Sequence, residues 1–195
     1  PDATPIERFT REFNYPPHTI IKSKESLPVL GIKTFFFSDV CSAIRKDTFE
    51  EAGRYPEKII MNEDMIIAAK MILTGYRIAY AGDAEVLHSH NYNAAQQFRR
   101  NFDIGVSHNQ NRWLLDYARA EGEGYRYVKA LFVYLVKGGY INQIPNAILI
   151  TMAKYAGYML GIRDHTIPPF FKKKLSMHNQ YWENRVNGPN LNQRD

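Results

Sequence analysis

Apolar residues recur at helical spacing in four stretches of the chain. The first stretch follows Thr4 and Pro5, which suit a helix N-terminus because a threonine hydroxyl caps free amides and proline is tolerated at the first helical position. The second begins at Asn62, a residue type that caps helices, and Gly75 is expected to end it. The residues that share a face are Ile6, Phe9 and Phe13; Met65, Ala68, Ala69, Ile72 and Tyr76; Val128, Leu131, Phe132 and Leu135; and Ile144, Ile148, Met152, Tyr155 and Met159.

Two further helices are predicted from their end signals. Asp47 and Glu50 have the spacing of a capping box, and Gly53 suits the left-handed residue that closes a short helix. A long helix is expected from Ala94 to about Ala120, where a glycine-containing break separates it from the next.

Short apolar runs predict strands between these helices. The runs over residues 34–38 and 40–44 are too short for helices and indicate buried strands, with Cys41 as a small buried residue. Two further runs, over residues 77–81 and 84–88, indicate strands separated by a tight turn, whereas the polar segment before Lys33 is expected to be a loop. The pattern therefore predicts an α/β part over residues 1–92 and a helical extension over residues 93–195.

Composition and charge limit the classes of function. With 45% apolar and 13% aromatic residues the chain is not disordered, and its net charge of +5 does not by itself indicate a nucleic-acid partner. A single cysteine excludes an internal disulfide and suits the cytoplasm. The chain starts without a signal peptide, so we expect it to begin inside a longer protein, and its apolar stretches are too interrupted for a transmembrane helix.

Asp64 is the first candidate for chemistry. It lies with Glu63 in the predicted first turn of a helix, where free amides and the helix dipole favour an ionised carboxylate. An ionised carboxylate in a cleft can act as a base. The alternative is that both acids only stabilise the start of the helix, since acidic residues are favoured there in any protein.

Five sequence blocks, taken in order, resemble the second half of the GT-A catalytic domain of family 2 inverting glycosyltransferases. The resemblance covers about residues 34–91. The blocks are Ser38-Asp39-Val40-Cys41-Ser42-Ala43-Ile44-Arg45-Lys46, Phe49-Glu50-Glu51-Ala52-Gly53-Arg54-Tyr55, Asn62-Glu63-Asp64-Met65, Gly75-Tyr76-Arg77-Ile78-Ala79-Tyr80 and Ala84-Glu85-Val86-Leu87-His88.

This resemblance implies roles for several residues. Asp64 would be the general base that deprotonates the acceptor hydroxyl as it attacks the anomeric carbon, with inversion of configuration. Glu63, Asp39 and Ser38 would contact the acceptor or the donor sugar. The resemblance also implies a GT-A sheet domain, of which this chain holds the acceptor-side half.

His88 and His90 are candidates for a metal or diphosphate contact. On an extended segment they would point to one face, about 6.5 Å apart. In metal-dependent members of the family a histidine from this region can join Mg²⁺ or Mn²⁺ held by an Asp-x-Asp motif. That motif and the donor-binding half would lie upstream, so we expect this chain to be inactive alone and not to hold the metal tightly. The alternative is that each histidine is structural.

The run around His90 and the helical part after Asn93 look like bacterial rhamnosyltransferases that build cell-surface polysaccharide. The resemblance implies transfer of L-rhamnose from a nucleotide-diphosphate donor to a glycan or lipid-linked acceptor. Phe170 and Phe171, beside Lys172, Lys173 and Lys174, could face an anionic bilayer. The expected location is then cytoplasmic and peripheral on the inner face of the membrane.

Two alternatives stay open. The basic tail could be a solvated helix that packs its aromatic residues on the core, and the whole chain could be a non-catalytic module that binds membrane or glycan. Nucleic acid is not an expected partner, because no recognised motif accompanies the basic residues.

Overall fold

The computed structural model describes residues 3–88, 90–117 and 122–187. These residues form α-helices joined by short 3₁₀ turns, together with one antiparallel pair of strands, β1 (Ile20–Lys22) and β2 (Ile78–Tyr80). The α-helices are α1 (Pro5–Asn14), α2 (Leu27–Leu30), α3 (Lys46–Glu51), α4 (Glu63–Leu73), α5 (Ala94–Gln110), α6 (Trp113–Tyr117), α7 (Glu123–Lys137), α8 (Ile144–Gly161), α9 (Pro169–Leu175) and α10 (Asn179–Asn187).

Helix α1 begins as the sequence predicts. The Thr4 hydroxyl accepts a hydrogen bond from the Glu7 amide, Pro5 is the first helical residue, and Ile6 and Phe9 are buried. Their partners are in α7, where Leu131 lies in the same apolar cluster. The N-terminal helix therefore packs on the helical part of the chain.

Helix α4 is the centre of the main core. It is buried nearly all round, and Ile67, Ala68, Ala69 and Ile72 have no measurable exposure. Gly75 follows it with φ of +101°, as predicted for a helix-ending glycine. Asn62 precedes it, but in a left-handed conformation with φ of +68° and without a side-chain cap, so the predicted capping hydrogen bond is not formed.

The predicted strands over residues 34–38 and 40–44 are wrong. Residues Gly31–Phe35 and Asp39–Cys41 form 3₁₀ turns instead, and Cys41 is exposed rather than buried. Ile32 and Phe35, three residues apart, both point into the core because a 3₁₀ turn repeats every three residues. The apolar run thus supplies buried side chains to α4 without forming a sheet.

Of the two strands predicted over residues 77–81 and 84–88, only the first is confirmed. Residues Ile78–Tyr80 form a strand, but their partner is Ile20–Lys22, in the segment that we expected to be a loop. Residues 84–88 form no strand, and Leu87 is 94% exposed. An apolar run without a neighbouring strand to pair with stays irregular, because its amides find no ladder partner.

Two smaller differences concern helix ends. Helix α3 begins at Lys46, so Asp47 lies within its first turn and accepts from the Thr48 amide rather than capping the helix. The long helix expected from Ala94 ends at Gln110, and α6 follows; residues 118–120 of the predicted span lie outside the described residues.

Helices α5 and α8 cross with their backbones almost in contact. A Cβ atom at Gly157 would lie 2.2 Å from the Phe98 carbonyl oxygen, and one at Gly161 would lie 2.2 Å from that of Phe102. The two helices therefore pack through small residues. As a result Ile148, Met152 and Tyr155, three of the residues aligned in sequence on α8, lie on its outward face, whereas Ile144 packs against the cluster that includes α1 and α7.

Residues on both sides of position 92 share packing. The Ser107 hydroxyl of α5 donates to the Met61 carbonyl oxygen at 2.6 Å, and Leu114 of α6 lies in the core around α4. The division into parts at residues 92 and 93 stays a prediction. No helix in the described ranges is long and apolar enough to cross a membrane.

Substitution of Gly157 by alanine tests the helix crossing. We expect Gly157→Ala to lower the free energy of unfolding by roughly 2 kcal/mol or more, because a methyl group would overlap backbone atoms of α5. Gly124→Ala in α7 is the matched control, since a Cβ there meets nothing within 4 Å, and it should be neutral or stabilise by up to about 1 kcal/mol. Urea denaturation of both variants measures the difference; equal stabilities would contradict the crossing geometry.

Candidate functional site

Two segments bring three carboxylates together at the start of α4. Glu63 and Asp64 form the first turn of this helix, and Asp39 is the first residue of the 3₁₀ turn at Asp39–Cys41. The Asp64 carboxylate accepts a hydrogen bond from the Met65 amide at 2.7 Å, and the backbone amide of Asp39 is near enough to lower its pKa. We name Asp39, Glu63, Asp64 and the adjacent Tyr55 the acidic site.

The loop that leads into the acidic site has an unusual backbone. Arg54 and Asn62, at its two ends, have φ of +59° and +68°, a left-handed conformation that non-glycine residues seldom adopt. The Arg54 guanidinium binds both oxygens of Glu50, at 2.5 and 2.9 Å, which holds the first of these residues in place. Such conformations persist only where the surrounding structure enforces them.

A buried lysine contacts the segment that leads to Asp39. The Lys22 ammonium on β1 donates to the Phe36 carbonyl oxygen, three residues before Asp39. Burial lowers the pKa of Lys22 to about 8. Sequence reasoning missed this contact, because Lys22 lies in the segment expected to be a loop, and only the pairing of β1 with β2 places it inside.

The Asp64 carboxyl group titrates above its usual range. Burial, and to a smaller extent the charges of Asp39 and Glu63, raise its pKa to about 6, although the amides of Met65 and Asp39 act in the opposite direction. The sequence predicted that the helix start would favour the ionised form. The amides do so, but desolvation outweighs them.

Tyr55 is a member of the acidic site that sequence reasoning did not assign. Burial and then the charges of Asp39, Asp64 and Glu63 raise the pKa of its hydroxyl, so all three carboxylates are near it. Its ring lies edge-on against Phe49, with 5.1 Å between centroids, and remains partly exposed. Its position two residues after Gly53, within one of the matched blocks, was the available signal.

Ser38 directly precedes Asp39 in sequence, but its side chain forms no capping hydrogen bond to the 3₁₀ turn at Asp39–Cys41. Its backbone is extended, with φ of −123° and ψ of 119°, and its side chain is half-buried. Its proposed contact with donor or acceptor stays a prediction.

His88 and His90 come together, though not on a strand. Their rings are edge-on with 4.4 Å between centroids, and His90 also stacks on Tyr92 at 4.9 Å. The pKa of His90 is lowered, first by burial and then by the positive charges of His88, Arg100 and Arg11. The pair therefore lies beside α1 and α5, and none of the interactions described for Asp64 involves it.

These two histidines do not make a complete metal site by themselves. Within residues 3–88, 90–117 and 122–187 no group of three or more histidine, cysteine, aspartate or glutamate side chains is arranged to hold a metal ion. A zinc site commonly takes three or four protein ligands, whereas Mg²⁺ is held by one or two carboxylates together with water and substrate phosphates. The Mg²⁺ or Mn²⁺ expected from the resemblance stays a prediction for the full-length protein.

The basic tail is only partly available to a membrane. Lys172, predicted to face the bilayer, forms an ion pair with the buried Asp164 at 2.9 Å and lies over the Trp182 ring; its contact with a membrane stays a prediction. An ammonium group next to a buried carboxylate is held there, because its departure would leave the negative charge of the buried carboxylate without a partner. Lys173 pairs with Glu183, and Lys174 lies 4.5 Å above the Phe170 ring. Phe170 and Phe171 are exposed.

Two curated proteins of known name are similar to this chain. It is 45% identical over 184 residues to the O-antigen chain rhamnosyltransferase WbaN of Salmonella anatum and 44% identical over 184 residues to the O-antigen chain rhamnosyltransferase RfbN of Salmonella typhimurium. Each alignment covers 94% of this chain and 58% of the relative, so the chain spans a little over half of the length of these proteins. No family model and no solved structure matches the chain.

The raised pKa of Asp64 makes a prediction about stability. Because its folded pKa of about 6 exceeds the usual 3.8, Asp64 contributes stability that is full below pH 3.8 and lost as the pH rises through about 6. The stability of Asp64→Asn relative to the original chain should therefore increase by about 1–2 kcal/mol between pH 4 and pH 7, after allowance for residual solvent exposure.

Urea denaturation of both proteins at several pH values measures this difference. If the free energy of unfolding of the two proteins differed by the same amount at every pH, the difference would reflect only the changed hydrogen bonds of the amide side chain. A pH-independent difference over the whole range would therefore contradict the proposed desolvation of Asp64.

Proposed function

We propose that this chain is the acceptor-side part of an inverting rhamnosyltransferase of cell-surface polysaccharide synthesis. The observation that carries the proposal is the identity of 44–45%, over 94% of the chain, with two proteins named O-antigen chain rhamnosyltransferase. The full-length protein would move L-rhamnose from a nucleotide-diphosphate donor to a glycan or lipid-linked acceptor. The GT-A fold of family 2, supported by the order of the five sequence blocks, is part of the proposal.

Asp64 is the proposed general base. As the acceptor oxygen attacks the anomeric carbon, its proton passes to the Asp64 carboxylate, the bond to the nucleoside diphosphate breaks on the opposite side, and the configuration inverts. A pKa of about 6 suits this step, because such a carboxylate is mostly ionised at neutral pH and is a stronger base than an ordinary aspartate. No step of this proposal is assigned to a metal.

The neighbours of Asp64 have supporting roles in the proposal. Burial is the main cause of its raised pKa, the charges of Asp39 and Glu63 add to it, and the Met65 amide holds its carboxylate by a hydrogen bond. The partly exposed ring of Tyr55, held against Phe49, offers a surface on which an acceptor sugar can stack. Orientation of the acceptor hydroxyl toward Asp64 then contributes to the rate together with proton transfer.

The proposed location is cytoplasmic, on the inner face of the membrane, as a lipid-linked acceptor would require. The exposed Phe170 and Phe171 support it, and so does Lys174 beside them. Lys173 is partly exposed while paired with Glu183 and could also contribute to attraction by anionic lipid.

Substitution of Asp64 tests the proposed base. Asp64→Asn in the full-length protein should lower kcat/KM for rhamnose transfer by about 100-fold or more, because the acceptor proton then has no base to receive it. Glu63→Gln, the adjacent control, should cost less than about tenfold, since it changes the charge near Asp64 without removing the base. Transfer is measured with labelled nucleotide-diphospho-rhamnose and an acceptor glycan.

The pH dependence of the same reaction gives a second test. In the original protein kcat/KM should rise with pH and level off above about 6, as Asp64 loses its proton. Transfer at the normal rate by Asp64→Asn would exclude the proposed mechanism. A protein that binds the glycan but transfers nothing, with or without Asp64, would be the non-catalytic module considered from the sequence.

A further inference from the structure

The outward face of α8 is a continuous apolar surface. Gly157 and Gly161 pack against α5 on one side of the helix, and the large side chains lie on the other. Met152 and Tyr155 are 65% and 66% exposed, which is unusual for side chains of this size. We name this face the α8 surface; it consists of Ile148, Leu149, Met152, Tyr155 and Leu160.

The α8 surface has no charged residue on it. From Ile148 to Leu160 it extends about 18 Å along the helix, and Lys154, the single charged residue in that span, points to α7, where its ammonium lies 5.2 Å from the Tyr127 ring centroid. Helix α7 has exposed apolar side chains of its own, Val128, Phe132 and Val136.

The charged residues of the segment that contains these two helices are mostly basic. Over residues 122–167 the chain has five basic residues, Arg126, Lys129, Lys137, Lys154 and Arg163, and two acidic residues, Glu123 and Asp164. Both acidic residues are in ion pairs, Glu123 with Lys33 and Arg126 and Asp164 with Lys172. Among the described residues no carboxylate pairs with the exposed Lys129, Lys137 or Arg163.

This combination favours an anionic membrane over a second copy of the chain. A second copy of the chain would bring the same cations face to face, and like charges disfavour such a contact. An anionic bilayer instead complements them, because acidic lipid attracts each nearby cation while apolar side chains enter the boundary between headgroups and acyl chains. A helix that cannot cross a membrane can still lie along its surface.

We propose that the α8 surface docks this chain on an anionic membrane surface, with Lys137 and Arg163 near the two ends of the helix contacting lipid headgroups. Met152 and Tyr155 enter the apolar boundary. These residues are distinct from the basic tail, whose Lys172 is held inside the fold. The binding itself needs no catalysis; its use for presenting a lipid-linked acceptor to Asp64 rests on the proposed function.

Met152→Glu tests the docking with a matched control. The substitution places a charge in the middle of the α8 surface, and we expect it to weaken binding to phosphatidylcholine vesicles containing phosphatidylglycerol by tenfold or more. Val29→Glu on α2 is the control, since Val29 is also an exposed apolar residue, 82% accessible, and the change of net charge is the same. The control should change binding less than twofold. Sedimentation with vesicles measures binding, and circular dichroism checks that each variant is folded.

Three outcomes would overturn the proposal. The first is that the original chain does not bind these vesicles, and the second is that both variants lose binding equally, which would indicate an effect of net charge alone. The third is self-association without vesicles that Met152→Glu abolishes, which would assign the α8 surface to a second copy. Transfer to a soluble acceptor, measured separately, distinguishes failure of docking from failure of the catalytic proposal.

Discussion

The burial of α4 is the constraint on which the rest of the structure depends. A helix that is apolar all round must be covered on every side, and here the 3₁₀ turn at Gly31–Phe35, strand β2 and helix α6 all contribute residues to its cover. The first turn of the helix is half-buried as well. The Asp64 carboxyl group is therefore partly removed from water, and its pKa rises to about 6. Burial therefore accounts both for the core and for the largest part of the shift in the pKa of Asp64.

The acidic site is formed by contacts between distant parts of the chain. Lys22 on β1 donates a hydrogen bond to the Phe36 carbonyl, and the segment that follows carries Asp39, whose charge and amide both act on the pKa of Asp64. On the other side, Arg54 and Asn62 turn the chain in left-handed conformations that bring Tyr55 beside the carboxylates. A group of like charges is unfavourable in itself, so the fold maintains it through backbone hydrogen bonds and packing.

In the helical part, small residues at the contact between α5 and α8 determine how the helices pack. Close approach of α5 and α8 through Gly105, Gly157 and Gly161 gains contacts between backbones, but it leaves the large apolar side chains of α8 on the outside. Apolar surface of this extent is stabilised when something covers it. The inward and outward faces of α8 are thus two consequences of one arrangement of small and large residues along the helix.

The sequence by itself determined the main helices and the position of Asp64 at the start of one, because capping residues, glycines and helical spacing act over a few neighbouring residues. It also carried the resemblance to rhamnosyltransferases, in agreement with the names of the two relatives. Tertiary structure alone decided the pairing of β1 with β2, the burial of Lys22, the inward position of Lys172 and the raised pKa of Asp64. Each of these depends on residues far away in the chain, since burial and strand pairing are properties of what surrounds a residue and not of its neighbours in sequence.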